Sequence, residues 1–329
     1  MQTFPSRSEI KLKNAVQFLG DKRRRYFSSG YKKVNCKLSN YQYSDGKLSA
    51  LLKPDWGKKL SIKNSGKVAL HIGSIEGALV AFRMLELFLA CRYNLTAYQI
   101  SACSIRKIEF RTRQCEQGID LPFNVEVSDS FSEIEKIEVG IYSFNILVGN
   151  FHFAIEVDLK ALVVPSEFSN EKFTRALLFW ANQYYTLGYK STYIDVVNLV
   201  LNLESRTVVG ISKVRSSHAE GQSGLGICNR QGLTFIDFLS ISGQLTQILL
   251  YQLENITREE SNNMWVRSLI AEFCIDDSPP KKFSKAHFSG FSLVKLKEES
   301  WRAVTAQFEI GNIKGTAKVC HIVKPTQHE

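Results

Sequence analysis

Ser74–Phe110 reads SIEGALVAFRMLELFLACRYNLTAYQISACSIRKIEF, and Phe235–Ala271 reads FIDFLSISGQLTQILLYQLENITREESNNMWVRSLIA. Laid over one another without a gap, 161 positions apart, they match Ile75 with Ile236, Leu89 with Leu250, Asn94 with Asn255, Thr96 with Thr257 and Arg106 with Arg267. Glu76 falls on Asp237. Five identities in 37 positions are few, and their weight comes from a shared order of features. Each stretch opens with an acidic residue in a long apolar run, which predicts helices over Ile75–Tyr93 and Ile236–Glu254. Apolar positions surround the first of these almost completely, so it belongs inside the protein rather than on its surface.

Strand-like runs follow each helix. In the first copy they are Ser104–Arg113, Leu121–Ser128, Lys136–Leu147 and Asn150–Leu159; in the second, Met264–Cys274, Phe291–Lys297, Trp301–Ile310 and Lys314–Val323. The last two runs of each copy meet at Gly149-Asn150 and Gly311-Asn312, hairpin signals that correspond after a one-residue insertion. Ahead of the helices lie strand-like pieces over 32–63, broken by Asp45-Gly46 and Pro54, and a strand pair at Tyr193–Leu203 and Arg206–Arg215. Ser169–Gly188 reads as an amphipathic helix capped by Ser169, with Lys172 where a capping box wants an acid. Ser216–Gly226 is rich in Gly and Ser and reads as a loop.

One buried helix per copy, followed by a mainly antiparallel sheet, predicts an α+β double hot-dog: two fused units, each a long helix against a curved sheet. Two ferredoxin-like units are the alternative, but each copy has one strong core helix where that fold needs two. The expected organisation is an N-terminal unit over 1–165 with a basic leading segment, a connecting helix over 166–190 and a C-terminal unit over 191–329. The chain is then a monomer with an internal pseudo-dimer, or a homodimer of such chains.

The net charge of +10 is concentrated at one end. Residues 1–67 hold sixteen Lys and Arg against four Asp and Glu, including the run Lys22-Arg23-Arg24-Arg25. Such a face attracts acidic partners. Seven cysteines, with no CxxC pair, argue against a disulfide framework or zinc site and for a reducing compartment. The opening MQTFPSRSEIKLK has no apolar signal-peptide run, and the apolar stretch Gly77–Cys91, broken by Arg83 and Glu86, is too short to span a bilayer. The expectation is a cytoplasmic protein without membrane association, in which Asn94-Leu-Thr and Asn255-Ile-Thr resemble glycosylation sites by coincidence.

Candidate chemistry centres on Glu76 and Asp237. A carboxylate in the first turn of an apolar helix is favoured by unpaired backbone N–H groups and the helix dipole. Partly buried, it can act as a general base; otherwise it supports capping. Arg106 and Arg267 open the strand after each helix and can bind a phosphate or a β-keto group bidentately, or form ion pairs. His71 stands just before the first helix, where it resembles the catalytic acid/base position of dehydratase-type hot dogs; Gly232 stands at the matching position, so His71 would act in the first copy alone. Ser240 and Gln244, with Ser242, Thr246 and Gln247, make the second helix more polar and are candidates for a pocket or an inter-helix seam. The other histidines have no ligand spacing, and no Walker A loop, GxGxxG, HExxH or GxSxG is present, so neither a metal nor a cofactor is indicated.

The run Leu70-His71-Ile72-Gly73-Ser74-Ile75-Glu76-Gly77-Ala78, the helix around Asp237 and the overall length resemble the avirulence D family of plant-associated bacteria. That family is similar in logic to A-factor synthase-type enzymes, whose two repeats each carry an acidic helix residue and an arginine on the next strand. The resemblance assigns those roles to Glu76 and Asp237, and to Arg106 and Arg267; Asp at 237 departs from it by one methylene. It implies β-ketoacyl transfer from an acyl carrier protein or coenzyme A thioester to a sugar-like hydroxyl, a pentulose such as xylulose, giving acyl glycoside elicitors of the syringolide type. The basic N-terminal third would dock the acidic carrier or the coenzyme A phosphates.

Two rival readings remain. One is an acyl-thioester dehydratase or thioesterase of hot-dog type. Those dehydratases place Gly four residues after His and Gln four after Asp, whereas Ile75 and Ile241 stand there in this chain. The other is a non-enzymatic nucleic-acid-binding module, suggested by Tyr26, Phe27, Tyr31, Tyr41 and Tyr43 among the basic residues and disfavoured by the lack of any recognised nucleic-acid fold.

Overall fold

A computed structural model describes residues 9–56, 71–112, 122–130, 140–160, 165–216, 223–227, 233–261, 263–274, 282–296 and 299–323. An edge strand, β1 (Glu9–Asn14), comes first. The first unit then runs β2 (Asn35–Ser44), β3 (Lys47–Asp55), the first core helix (Ser74–Arg92), β4 (Ser104–Thr112), β5 (Phe123–Ser130), β6 (Ile141–Val148) and β7 (Phe151–Asp158). The second repeats the order: β8 (Thr192–Asn202), β9 (Thr207–Ser216), the second core helix (Phe235–Leu253), β10 (Met264–Phe273), β11 (Phe283–Leu296), β12 (Glu299–Ile310) and β13 (Ile313–Val323).

The thirteen strands of the described residues form one sheet in the order β1-β8-β9-β11-β12-β13-β10-β4-β7-β6-β5-β3-β2. Outward from the β4–β10 seam, each half repeats the same sequence of strands, and β1 extends the second half by pairing with β8. The seam is antiparallel, and Glu109 lies opposite Ile270. Those two residues are 161 positions apart, the offset that aligns the copies. The flanking pairs, Ile108 with Ala271 and Phe110 with Leu269, exchange under the same offset, so a pseudo-dyad passes through the Glu109–Ile270 pair. This is a double hot-dog with both units in one chain and one sheet.

Each helix is buried for a reason visible in its sequence. In Ser74–Arg92 every residue except Arg83, Ala90 and Arg92 is buried; in Phe235–Leu253 the exceptions are Gln247, Gln252 and Leu253. The first packs on β5, β6 and β7, the second on β8, β9, β11 and β12. The helices also meet each other, Phe82 lying edge-on to Phe235 at 6.1 Å. Burying so much apolar surface is the main force holding the units together.

The shared Asn-x-Thr has a structural job in both copies. Asn94 and Asn255, one residue beyond each C-cap, take left-handed φ values of 52° and 51°. Asn tolerates that conformation better than most residues. Thr96 then caps the next short helix, with Gln99 completing a capping box. Thr257 and Glu260 make the corresponding reciprocal bonds. Both hairpin glycines, Gly149 and Gly311, are also left-handed, at 55° and 60°.

Two elements differ from expectation. The linking helix covers Asn170–Trp180, not 169–188, because the chain turns there to send Tyr184 and Tyr185 into the core. β11 starts at Phe283 rather than Phe291. Two of its three inward residues there, Ser284 and Ala286, are too small to give an apolar alternation with Phe288, although both are fully buried. The expected loop over 216–226 falls mostly outside the described residues. No described helix is long and apolar enough to cross a membrane.

Candidate active site

Glu76 lies in the first turn of the first core helix and is 1% exposed. The Tyr26 hydroxyl donates a short hydrogen bond to Glu76 Oε2. Gly73 makes the approach possible, since a Cβ there would lie 2.1 Å from the Tyr26 oxygen and 2.6 Å from Oε2. Burial raises the carboxyl, and hydrogen bonds from Tyr26 and from the backbone at Glu76 and Gly73 pull it part-way back, to about 7. Glu76 Oε1 is buried and has no hydrogen-bond partner among the described residues. The result is a carboxyl near neutrality with one oxygen anchored and one uncommitted.

Asp237 occupies the equivalent place and is 4% exposed, but its surroundings differ. Thr234 stands where the first copy has Gly73. Its backbone N–H donates to Asp237 Oδ2 at 3.0 Å, its hydroxyl donates to the same oxygen at 2.8 Å, and Asp237 N donates back to Thr234 Oγ1 at 3.1 Å. This capping box satisfies helix N-terminal donors. Tyr184, the counterpart of Tyr26, meets Thr234 Oγ1 at 3.1 Å instead of the acid itself. One extra side chain thus separates tyrosine from carboxylate in the second copy.

The tyrosines belong to a repeated motif that the alignment of the helices missed. Tyr26-Phe27-Ser28-Ser29-Gly30-Tyr31-Lys32 matches Tyr184-Tyr185-Thr186-Leu187-Gly188-Tyr189-Lys190, 158 positions apart. A gap-free offset of 161 cannot bring these together, because the second copy carries three more residues between motif and helix. The signal was available as Tyr-aromatic-x-x-Gly-Tyr-Lys. It continues to Asn40 and Asn198, both at φ 52° in matching strand irregularities. At the centre Tyr31 stacks on Tyr189, centroids 6.1 Å apart and planes 21° apart. Each following lysine lies over its own tyrosine, Lys32 at 5.8 Å and Lys190 at 5.9 Å. Burial, with Asp237 and Glu76 both nearby, pushes the Tyr31 hydroxyl well up.

Ser240 and Gln244 hold this N-terminal motif in place. The Ser240 hydroxyl and Gln244 Nε2 both donate to Phe27 O, and Gln244 Oε1 accepts from Arg25 Nη1 and Ser28 Oγ, each at 3.3 Å. Gly243 leaves room for the Phe27 ring, whose nearest atom would be 2.5 Å from a Cβ. In the other half Tyr185 stacks on Phe82 at 4.5 Å. Each motif therefore packs its first tyrosine on its own unit's helix and its second aromatic residue on the other's.

The remaining candidates sit elsewhere. Arg106 and Arg267 both occupy register irregularities, between Ile105 and Lys107 and between Val266 and Ser268. Such bulges re-aim a side chain. Arg106 Nη2 is paired with Asp158 Oδ2 at 2.5 Å, and Asp158 also takes bonds from Lys160. Arg267 is exposed. The His71 ring packs 4.6 Å from the Trp265 ring. A further buried acid, Glu86, accepts from Leu225 N at 2.8 Å; burial raises it to about 8. Its place inside an apolar helix gave no sequence cue to a role. Among the described residues no group of three or more His, Cys, Asp or Glu converges to hold a metal.

The family described as Pseudomonas avirulence D protein (AvrD) matches residues 11–325. A search of curated proteins finds no match to the chain. Solved structures of similar path include a Mycobacterium avium subsp. paratuberculosis tesB protein, 7% identical with a TM-score of 0.41, covering 88% of this chain and 96% of its own. A putative thioesterase from Novosphingobium aromaticivorans is 9% identical with a TM-score of 0.39, covering 87% and 98%. A trans-AT polyketide synthase dehydratase domain from Brevibacillus brevis is 11% identical with a TM-score of 0.38, also covering 87% and 98%.

Proposed function

The chain belongs to the avirulence D family, and from that premise we propose that it transfers a β-ketoacyl group from an acyl carrier protein or coenzyme A thioester to a hydroxyl of a sugar-like acceptor, a pentulose such as xylulose. The observation that carries this reading is Glu76: a buried carboxyl poised at about 7, fixed through Oε2 by Tyr26, with Oε1 left for a substrate. A general base is most effective when its pKa lies near the working pH.

In the proposed reaction Glu76 Oε1 takes the proton of the acceptor hydroxyl as that oxygen attacks the thioester carbonyl carbon. The carbon–sulfur bond then breaks, and Glu76 returns the proton to the departing thiolate. An ester and a free thiol result, and the carboxylate is regenerated. Backbone N–H groups at the helix start are suited to stabilise the tetrahedral oxyanion. Tyr26 holds the base, Gly73 gives it room, and the basic N-terminal segment offers an acidic carrier a complementary face. Asp237 keeps its capping role, and His71, Arg106 and Arg267 act on binding rather than on the proton.

The test is a coupled assay with a β-ketoacyl thioester and a pentulose, products read by mass spectrometry. Wild type should give the acylated sugar, and Glu76→Gln should lower the rate by roughly 10²-fold or more, the scale of general-base catalysis. Far-ultraviolet circular dichroism should show the variant folded. Full activity in Glu76→Gln would refute the mechanism, and free β-keto acid as the sole product would mark a thioesterase.

A further inference from the structure

The two copies of the Tyr-aromatic-x-x-Gly-Tyr-Lys motif exchange their last two residues. Tyr189 N donates to Tyr184 O at 2.9 Å, which closes the second motif into one compact turn. The first tyrosine of each motif stays with its own unit, and the closing residues cross to the other. From the first motif, Lys32 Nζ donates to Thr192 O at the head of β8. From the second, Lys190 Nζ donates to Asn35 Oδ1 at the head of β2, and the Tyr189 hydroxyl donates to the neighbouring Val34 O at 3.5 Å. Val34 and Thr192 are 158 positions apart, the offset of the motif itself.

The exchange sets each crossing tyrosine beside the other unit's acid. Burial raises the Tyr189 hydroxyl, and Cys36 and then Glu76, both of the first unit, raise it further. For Tyr31 the leading charge after burial is Asp237 of the second unit. The Tyr31 ring lies edge-on to Tyr26 at 6.4 Å and stacks on Tyr189 at 6.1 Å, so a row of three rings runs from the tyrosine that holds Glu76 to Tyr189. The surroundings of Glu76 therefore come from both units.

The bonds of the exchange are unequal. The equivalent carbonyls, Thr192 O and Val34 O, are met by an ammonium in one half and by a phenol in the other. A hydroxyl usually bonds an oxygen at about 2.7–2.8 Å, so at 3.5 Å Tyr189 gives up little by turning to a better acceptor. Its ring is 4% exposed, with Lys190 Nζ 5.9 Å over its centre. Burial keeps the proton on the phenol oxygen, which makes Tyr189 a neutral donor rather than a base.

We propose that Tyr189 is a specificity-determining residue of the Glu76 site, its hydroxyl donating to the β-keto oxygen of the acyl group. This rests on the acyl-transfer reading. There the helix-start N–H groups meet the thioester oxygen and Glu76 meets the acceptor hydroxyl, which leaves the second oxygen of the acyl chain without a donor. A buried ketone needs one. A site that bonds a particular oxygen also rejects the analogue that lacks it.

Calorimetric titration of the full chain tests this without turnover. The probes are β-ketooctanoyl and octanoyl pantetheine in which a methylene replaces the thioester sulfur, so neither can transfer its acyl group. Wild type should bind the β-keto probe about tenfold more tightly than the octanoyl probe, the scale of one buried hydrogen bond. Tyr189→Phe should bind the β-keto probe as weakly as the octanoyl one, with octanoyl affinity unchanged; a merely structural loss would weaken both alike. Tyr31→Phe, the same deletion at the equivalent position, should keep the preference. Equal binding of the two probes by the wild type would overturn the proposal, as would a preference that survives in Tyr189→Phe or is lost equally in Tyr31→Phe. In each of these cases the Glu76→Gln transfer assay still decides the acyl-transfer reading on its own. A wild type that binds neither probe would strike that reading, and the proposal with it.

Discussion

Tyr26 and Glu76 are the pair on which the proposed chemistry turns, and their bond has a sign that can be tested. The Tyr26 hydrogen bond lowers the Glu76 carboxyl from where burial alone would hold it. Wild-type transfer should therefore rise with pH through about 7 as Glu76 loses its proton. Tyr26→Phe removes the donor, and the midpoint of the pH–rate profile should move up by about one unit, the scale of one charge-assisted hydrogen bond. An unmoved midpoint would show that Tyr26 does not act on the base. Glu76 itself was legible in the sequence because it stands in the first turn of an apolar helix with Asp237 at the matching position of the second copy. Tyr26 was not, because its role depends on a contact across fifty positions and on Gly73 having no side chain. Arg25 was hidden for another reason: in a run of four basic residues nothing in the letters separates the buried guanidinium from its solvated neighbours.

The two core helices and the strands after them were legible as elements, since burial forces an unbroken apolar helix and the hairpins carry Gly-Asn. Their ends follow from capping. Thr234→Ala removes the hydroxyl that accepts from Asp237 N and donates to its carboxylate, so it should cost roughly 1 kcal/mol in urea unfolding. Gly243→Ala tests the seating of the N-terminal motif, because its Cβ would lie 2.5 Å from the Phe27 ring. The expected outcome is displacement of the segment carrying Arg25 and Tyr26, read as lost transfer and faster proteolysis there while the thermal transition survives. Unchanged activity and proteolysis would mean the segment is held by other contacts. Elements whose inward residues are small, such as the first half of β11, escaped the sequence reading because the pattern depends on bulk, not on burial.

At the scale of the whole molecule, two buried carboxyls make stability depend on pH. Glu76 and Glu86 are held at about 7 and about 8, against roughly 4.3 in an unfolded chain. Between those values the folded state keeps protons that the unfolded state has released, so stability falls as pH rises from about 4.5 to 8. Glu86→Gln should flatten the part of that slope between pH 7 and 8 in chemical denaturation; an unaltered slope would exclude Glu86 as its source. The duplication itself was legible because one offset holds across helix, cap and seam strand, and the seam register at Glu109 and Ile270 carries the same offset. What the aligned letters left open was that the equivalent acids do different work: Glu76 is bonded directly to a tyrosine, whereas Asp237 is bound into a capping box. The proposal is therefore one working carboxyl in a two-fold scaffold. Its most direct test is the transfer rate of Glu76→Gln beside that of Asp237→Asn, measured by product mass spectrometry on the same thioester and pentulose. Loss of roughly 10²-fold or more in Glu76→Gln, with Asp237→Asn within a few-fold of wild type, is the predicted result; equal losses in both, or a loss in Asp237→Asn alone, would contradict it.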